Sequence, residues 1–293
     1  MKHVARKRFG QHFLADRSVI HAIVGAIAPR DGDRLVEIGP GRAALTDALL
    51  ERVAHLTAIE LDRDLAAWLR ERYGPERLTL IEQDALRVDF AAIGGAGAGG
   101  GDGAGGVDGA GGVDGAGAGA GTMLRLVGNL PYNISSPLLV RLTPFRDRVI
   151  DQHFMLQKEV VDRIVAGPGQ AAYGRLGVLL QNYYDCDALF EVPPEAFDPP
   201  PKVMSAVIRM LPRRDDVGRS GEADDRGAPP LAALESLLAQ AFAQRRKMLR
   251  KTLIPWLDAR GVEASMLTPT DRAEDVPVDV YRRLAWAVGR GRV

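Results

Sequence analysis

Five consecutive residues, Gly128-Asn129-Leu130-Pro131-Tyr132, put an amide, a rigid ring and an aromatic face side by side. That combination suits gripping a planar base by its exocyclic amine. The Asn129 side-chain oxygen accepts one N–H, and a turn through Leu130-Pro131 aims a backbone carbonyl beside it. Tyr132 adds a flat face on which a base can stack. A plain strand-to-loop turn uses the same residue types, so the motif alone leaves both readings open. The short apolar run Leu124 to Val127 before it reads as a strand. The motif then falls at that strand's C-terminal end, the edge where open α/β sheets hold their ligands.

Other residues point to the same edge. Gly39-Pro40-Gly41-Arg42-Ala43-Ala44 follows a strand candidate, Arg34 to Ile38, and precedes a helix through Leu45 to Arg52. Strand, glycine turn and helix make a nucleotide-binding unit, because Gly39 and Gly41 let the backbone approach a ligand closely. The letters fit the dinucleotide pattern G-x-G-x-x-A, a weak signal alone. A second strand, Leu56 to Ile59, ends in Glu60, where an acid accepts both ribose hydroxyls. A third, Leu78 to Ile81, leads to Asp84, placed either to accept from an adenine amino group or to cap a turn. Further on, Phe197-Asp198-Pro199-Pro200-Pro201-Lys202-Val203 holds an extended loop near the sheet edge. Phe197 either closes the second face of a base pocket or belongs to the core.

The elements needed to position these residues are legible as alternating strands and helices. Helices are predicted over Ser18 to Ala28, Asp64 to Arg72, Ser136 to Leu142 and Lys158 to Val165. Strands are predicted over Ile150 to Leu156, Leu189 to Val192 and Ala206 to Leu211. Residues 212–230 are polar and rich in Gly and Pro, which reads as a linker. Leu231 to Ile254 is predicted as one helix with basic residues in its last turns, and Met266 to Trp286 adds one or two more. The chain thus divides into a catalytic domain over 1–211 and a small helical domain over 231–293. Gly94 to Gly121 stands apart: 16 of its 28 residues are glycine, and Gly-Ala-Gly-Gly-Val-Asp occurs twice in a row. Such a segment has little to bury and reads as a flexible loop with no metal site.

Composition sets the outer bounds. The chain has 293 residues, 46% hydrophobic and 26% charged, ordinary for a soluble globular protein. No apolar run reaches membrane-span length, and the basic start Met1 to Arg8 lacks the apolar stretch of a secretory signal. One cysteine, Cys186, excludes an intrachain disulfide and a cysteine metal cluster. These features point to a cytoplasmic protein. Formal net charge is zero, yet two basic clusters hold no acid. One is Lys2, Arg6, Lys7 and Arg8; the other is Arg245, Arg246, Lys247, Arg250 and Lys251. Clusters of that kind favour phosphate contacts, although a charge run is often only a solvated face.

Taken in order, these segments resemble the adenine N6,N6-dimethyltransferases of small-subunit ribosomal RNA. The resemblance runs through Arg6 to Leu14, Val36 to Gly41, Ile59 to Asp62, Gln83 to Ala85, Gly128 to Ile134, Met155 to Val160 and Phe197 to Val203. It implies a Rossmann-like seven-stranded α/β sheet of the S-adenosyl-L-methionine-dependent methyltransferase type, followed by a small helical domain. It implies cofactor contacts at His12, Leu14, Gly39, Glu60, Asp84 and Asn129. The family usually has asparagine where this chain has His12. The implied substrate is two adjacent adenosines near the RNA 3′ end, within an immature small subunit, and the enzyme is expected to act as a monomer. Three rivals remain at this level: a large-subunit RNA dimethyltransferase, an NAD-dependent dehydrogenase, and an assembly factor whose main work is binding.

Overall fold

The computed structural model describes residues 12–93, 123–214 and 227–290. β1 (Phe13–Leu14) leads into α1 (Arg17–Ile27). Asp16 caps α1 by accepting the backbone N–H groups of Ser18 and Val19, which satisfies two donors the first turn leaves unpaired. Strand and helix then alternate: β2 (Arg34–Ile38), α2 (Ala44–Leu50), β3 (Leu56–Glu60), α3 (Arg63–Arg72) and β4 (Leu78–Glu82). The glycine-rich stretch Gly94 to Gly121 lies outside the described residues. Next come β5 (Leu124–Asn129), α4 (Ser135–Leu142), β6 (Val149–Gln157), α5 (Lys158–Val165), α6 (Arg175–Gln181) and β7 (Tyr184–Val192). β8 (Phe197–Asp198) and β9 (Ser205–Pro212) follow, then α7 (Leu231–Phe242), α8 (Leu253–Asp258) and α9 (Val278–Arg290).

Among the described residues, seven strands form one sheet in the order β4-β3-β2-β5-β6-β9-β7, and β1 pairs separately with β8. The five strands from β4 to β6 run parallel, and β9 runs antiparallel to both its neighbours. The chain leaves β2 toward β3 and β4, then returns to β5 and proceeds the other way. That reversal opens a crevice at the carboxyl ends of β2 and β5. Gly128 lets the two ends close up: a Cβ there would lie 2.4 Å from the Ile38 carbonyl oxygen, which no side chain tolerates.

Apolar layers cover both faces. One face buries Ile23, Val24 and Ile27 of α1 against Leu35, Val127 and Met155. The other buries Leu138, Val161 and Leu180 together with Leu234, Leu238 and Tyr281 of the C-terminal helices, so those helices share the core of the sheet. Tyr173 and Tyr183 donate their hydroxyls to the carbonyls of Val276 and Pro229, fixing that contact. β5 is not uniformly apolar as expected. Arg125 points under α1 and is only 8% exposed. It pairs with Asp33 and Asp151 and donates to the carbonyl of Ile27, so its charge is fully matched.

A second expectation fails in the C-terminal region. The single helix over Leu231 to Ile254 does not form. α7 stops at Phe242, residues 244–247 form a turn, and Met248 pairs with Arg272 in an antiparallel bridge. Leu249 sits fully buried. The Met248 bridge and the bond from Leu249 N–H to the Asp271 carbonyl, at 2.8 Å, hold the chain in a turn there, so tertiary contacts override helix propensity.

Candidate active site

The crevice at the ends of β2, β3, β4 and β5 is a cavity, and ten predicted site residues line it. They are His12, Leu14, Gly39, Gly41, Glu60, Asp84, Asn129, Leu130, Pro131 and Tyr132. One side of the cavity rests on parallel strand ends. Gly39 and Gly41 both adopt positive φ, +74° and +54°, a conformation side-chain-bearing residues resist. The turn folds back so that Gly41 N–H donates to Glu60 Oε2 at 3.2 Å. Asp62 N–H donates to Glu60 Oε1 at 2.9 Å. Each Glu60 oxygen thus keeps acceptor capacity for a ligand. Burial pushes the Glu60 carboxyl above its ordinary range, against the pull of those backbone donors. Asp84 spends Oδ1 on the Leu86 N–H, at 2.9 Å, which leaves Oδ2 for a ligand.

Glu37 also lines the cavity, and the sequence reading gave it no role. It is 1% exposed, and the Thr46 hydroxyl donates to it at 2.7 Å. Burial, reinforced by Glu60 and Asp47, pushes its carboxyl up to about 8. The signal was present in the sequence: one acid amid Leu35, Val36 and Ile38 of a central strand needs a reason to be there. Leu61, half exposed at the cavity wall, was missed as well. It offers apolar surface to a flat ring beside Glu60.

The other side of the cavity is assembled from three distant segments. The His12 carbonyl accepts a hydrogen bond from Asn129 Nδ2 at 3.0 Å. A carbonyl only accepts, so the nitrogen of the Asn129 amide must face His12. Oδ1 is therefore left without a partner among the described residues. His12 Nδ1 lies 2.8 Å from the Pro199 carbonyl oxygen, and its ring stacks on Tyr132 with centroids 5.9 Å apart. Tyr132 Oη lies 2.7 Å from Ser205 Oγ, and burial pushes the phenol above its ordinary range. β1 holds the His12 segment down by pairing Leu14 with Phe197 and Phe13 with Asp198. Arg42 adds a second tie, 3.0 Å from Asp198 and stacked over the Phe13 ring.

Phe197 corrects an expectation. It does not line the cavity; it is buried with Leu14, Val24 and Met155 in the core under β1. Its place is to hold the N-terminal strand. The basic clusters also divide. Arg6, Lys7 and Arg8 lie outside the described residues. Arg245 is already engaged, with Glu274 at 2.6 Å and with the Ala171 carbonyl. Arg246, Lys247, Arg250 and Lys251 are exposed on the turn after α7 and the segment beside it and make no ion pair among the described residues.

The lining has a clear charge balance. Four acidic side chains, Glu60, Asp62, Asp84 and the protonated Glu37, face two basic side chains, His12 and Arg42, and Arg42 is paired with Asp198. A ligand carrying a pyrophosphate meets net repulsion there, whereas a ligand with a ribose and a positive charge meets acceptors. That charge balance speaks against a nicotinamide dinucleotide and fits S-adenosyl-L-methionine.

Comparison with known proteins agrees. The family model described as ribosomal RNA adenine dimethylase matches residues 2–286. A ribosomal RNA small subunit methyltransferase A from Bordetella petrii is 53% identical over 287 residues, covering 98% of this chain and 96% of that protein. One from Methylibium petroleiphilum is 52% identical over 294 residues, covering 99% of each. Among solved structures, a dimethyladenosine transferase from Plasmodium falciparum aligns with a TM-score of 0.69 at 19% identity, covering 96% of this chain and 99% of that one. The 23S rRNA methyltransferase ErmE aligns at 0.61 and 21% identity, covering 94% and 99%. At those identities the two structures establish the fold.

Proposed function

The chain belongs to the ribosomal RNA adenine dimethylase family, and from that membership we propose that it dimethylates N6 of two adjacent adenosines near the 3′ end of small-subunit ribosomal RNA. S-adenosyl-L-methionine supplies an electrophilic methyl group on a cationic sulfur. Glu60 accepts its ribose hydroxyls, Asp84 accepts from its adenine amine, and the Gly39 to Gly41 turn lets it approach the sheet edge. Leu14 and His12 close the near side. Glu37, buried beside them, gains most from a nearby positive charge.

One observation carries the chemistry. The Asn129 amide is turned by the His12 carbonyl so that its oxygen has no partner among the described residues. An adenine N6 lone pair is delocalised into the ring and is a poor nucleophile. Accepting its two N–H groups at Asn129 Oδ1 and the Leu130 carbonyl favours a pyramidal nitrogen and releases the lone pair. Pro131 fixes the turn that aims that carbonyl. The base must leave its stack to reach this point, and Tyr132 offers the surface that receives it. Positioning and electrostatics then do most of the work, without a covalent enzyme intermediate. A monomethylated amine keeps one N–H for the same acceptors, so a second transfer uses the same residues.

The remaining assignments follow from that role. Residues 1–211 carry catalysis. The helical part over 231–293 contacts RNA phosphates through Arg246, Lys247, Arg250 and Lys251, with Arg6, Lys7 and Arg8 as a second basic cluster and Arg245 bracing the first. The substrate is an immature small subunit in the cytoplasm, and the enzyme works as a monomer. Among the described residues no helix is long and apolar enough to cross a membrane.

Mass spectrometry of ribosomal RNA from cells lacking the protein tests this reading. Dimethyladenosine should vanish from small-subunit RNA and return when purified protein and S-adenosyl-L-methionine are added to those subunits. Unchanged small-subunit RNA, or a loss confined to the large subunit, would sink it.

A further inference from the structure

Ser205 opens β9, is fully buried, and lies between β6 and β7 in the sheet. Its backbone pairs with Gln157 on one side and Val192 on the other, so its position is rigid. Its hydroxyl lies 2.7 Å from the hydroxyl of Tyr132, 73 residues earlier in the chain. The ring of Tyr132 meets His12 with their planes inclined by 28°. His12 is in turn tied to Pro199 and to Asn129. Tyr132 is therefore held at its far end by a strand and on one face by a clamped imidazole.

A tyrosine ring turns about two bonds, and packing on one face restricts only part of that motion. A hydrogen bond at the hydroxyl, the point farthest from the backbone, stops the ring from swinging. We infer that Ser205 is a positioning residue for methyl transfer: its hydroxyl pins Tyr132 so that the ring is already set to receive the target adenine beside Asn129. A pinned ring does not have to be ordered when the base arrives, and preorganisation of this kind appears in the rate of the chemical step. The register of β9 makes the geometry possible. Ser205 stands opposite Gln157, the last residue of β6, at the same sheet edge where β5 ends in Asn129. This inference rests on the reading of Tyr132 as the base-stacking surface, and the experiment separates the two.

Single-turnover methyl transfer to unmethylated small subunits is measured for Ser205→Ala, Tyr132→Phe and the double variant, with Tyr132→Ala alongside. Ser205→Ala and Tyr132→Phe should each slow the step about tenfold. The double variant should be no slower than the slower single, because each removes the same hydrogen bond. Calorimetric affinity for S-adenosyl-L-methionine should be unchanged in all three. Ser205→Cys, with a weaker partner atom, should fall between the wild type and Ser205→Ala. Multiplying effects in the double variant, or wild-type rates in both singles, would overturn the inference. If Ser205→Ala fails to fold, Tyr132→Phe decides alone, and a wild-type rate there is fatal. Tyr132→Ala distinguishes the underlying reading: full activity in that variant would remove the stacking role itself, whereas an inactive Tyr132→Ala beside a fully active Ser205→Ala would remove only the role of Ser205.

Discussion

The two sides of the cavity are built differently. The cofactor side comes from consecutive units of one sheet: the β2 turn, the end of β3 and the end of β4 supply Gly39, Gly41, Glu60 and Asp84 in chain order. Hydrogen bonds there stay short in sequence: Gly41 reaches Glu60 over 19 residues and Gly39 reaches the Ile59 carbonyl over 20. The base side joins segments far apart. Asn129 reaches His12 over 117 residues, Tyr132 reaches Ser205 over 73, and His12 reaches Pro199 over 187. Ligand contacts on the first side use backbone and carboxylates already fixed by strand pairing. On the second side, a short N-terminal strand has to dock before the Asn129 amide is oriented. Damage to the first side should therefore appear as lost affinity, and damage to the second as lost rate.

The sharpest test is Asn129→Ala. Removing one positioned acceptor at a reacting centre should lower the single-turnover rate by about a hundredfold or more. RNA binding should persist, because the proposed RNA contacts lie on basic residues elsewhere. Cofactor affinity should fall far less than the rate. If calorimetry showed a loss of cofactor affinity as large as the loss of rate, the division between the two sides would collapse.

Glu60→Ala probes the opposite side. A charged acceptor for two hydroxyls contributes about 1.5–3 kcal/mol, so the dissociation constant should rise roughly ten- to a hundredfold. The rate at saturating cofactor should hold near the wild-type value. A normal affinity would remove Glu60 from the site; a collapsed rate at saturation would make it part of the chemistry.

The same contrast explains what the sequence disclosed. β2 was bounded to the residue, because strand, glycine turn and helix are local signals. Asn129 to Tyr132 was also legible, as a compact motif. His12 was placed among the cofactor contacts by resemblance, but its carbonyl on Asn129 and its ring on Tyr132 depend on β1 pairing with β8, which no local pattern encodes. Phe197 was read as a possible pocket wall because the proline run puts it near the edge. Its side chain points the other way, into the core, and strand pairing rather than composition decides which face it takes. Glu37 went unassigned because an acid inside an apolar strand carries no partner label; Thr46, on the next helix, supplies one only after folding. The α7 boundary was misplaced since helix-forming residues continue past Phe242, and only the pairing of Met248 and Leu249 with the distant Asp271–Arg272 segment reveals the break.

The basic turn extends the comparison to the RNA itself. Replacing Arg246, Lys247, Arg250 and Lys251 with alanine should leave cofactor affinity untouched and flatten the salt dependence of RNA binding. Each lost phosphate contact removes roughly one unit from the logarithmic slope. Arg245→Ala should behave unlike the others. It breaks the Glu274 pair and the bond to the Ala171 carbonyl, so its effect belongs in thermal stability more than in the slope. An unaltered slope in the four-residue variant would mean the turn is merely solvated.

The smallest expected effect concerns Glu37 and is specific in its pH dependence. In the unfolded chain Glu37 titrates near its ordinary value of 4.5, and burial raises it to about 8 in the fold. Between those values the folded protein holds a proton that the unfolded chain has released. Stability must then fall as pH rises across that window and level off above about 8. Glu37→Gln keeps a partner for the Thr46 hydroxyl and abolishes the titration. The melting temperature of the cofactor-free variant should match the wild type near pH 4 and exceed it by a growing margin up to about pH 8. Its affinity for S-adenosyl-L-methionine should drop at pH 8, because a cation then has one fewer carboxylate to meet. A margin independent of pH would mean that Glu37 is not the buried acid that titrates in this window. The strain of holding two acids in one dry wall would then fall to Glu60, whose carboxyl is raised by the same burial.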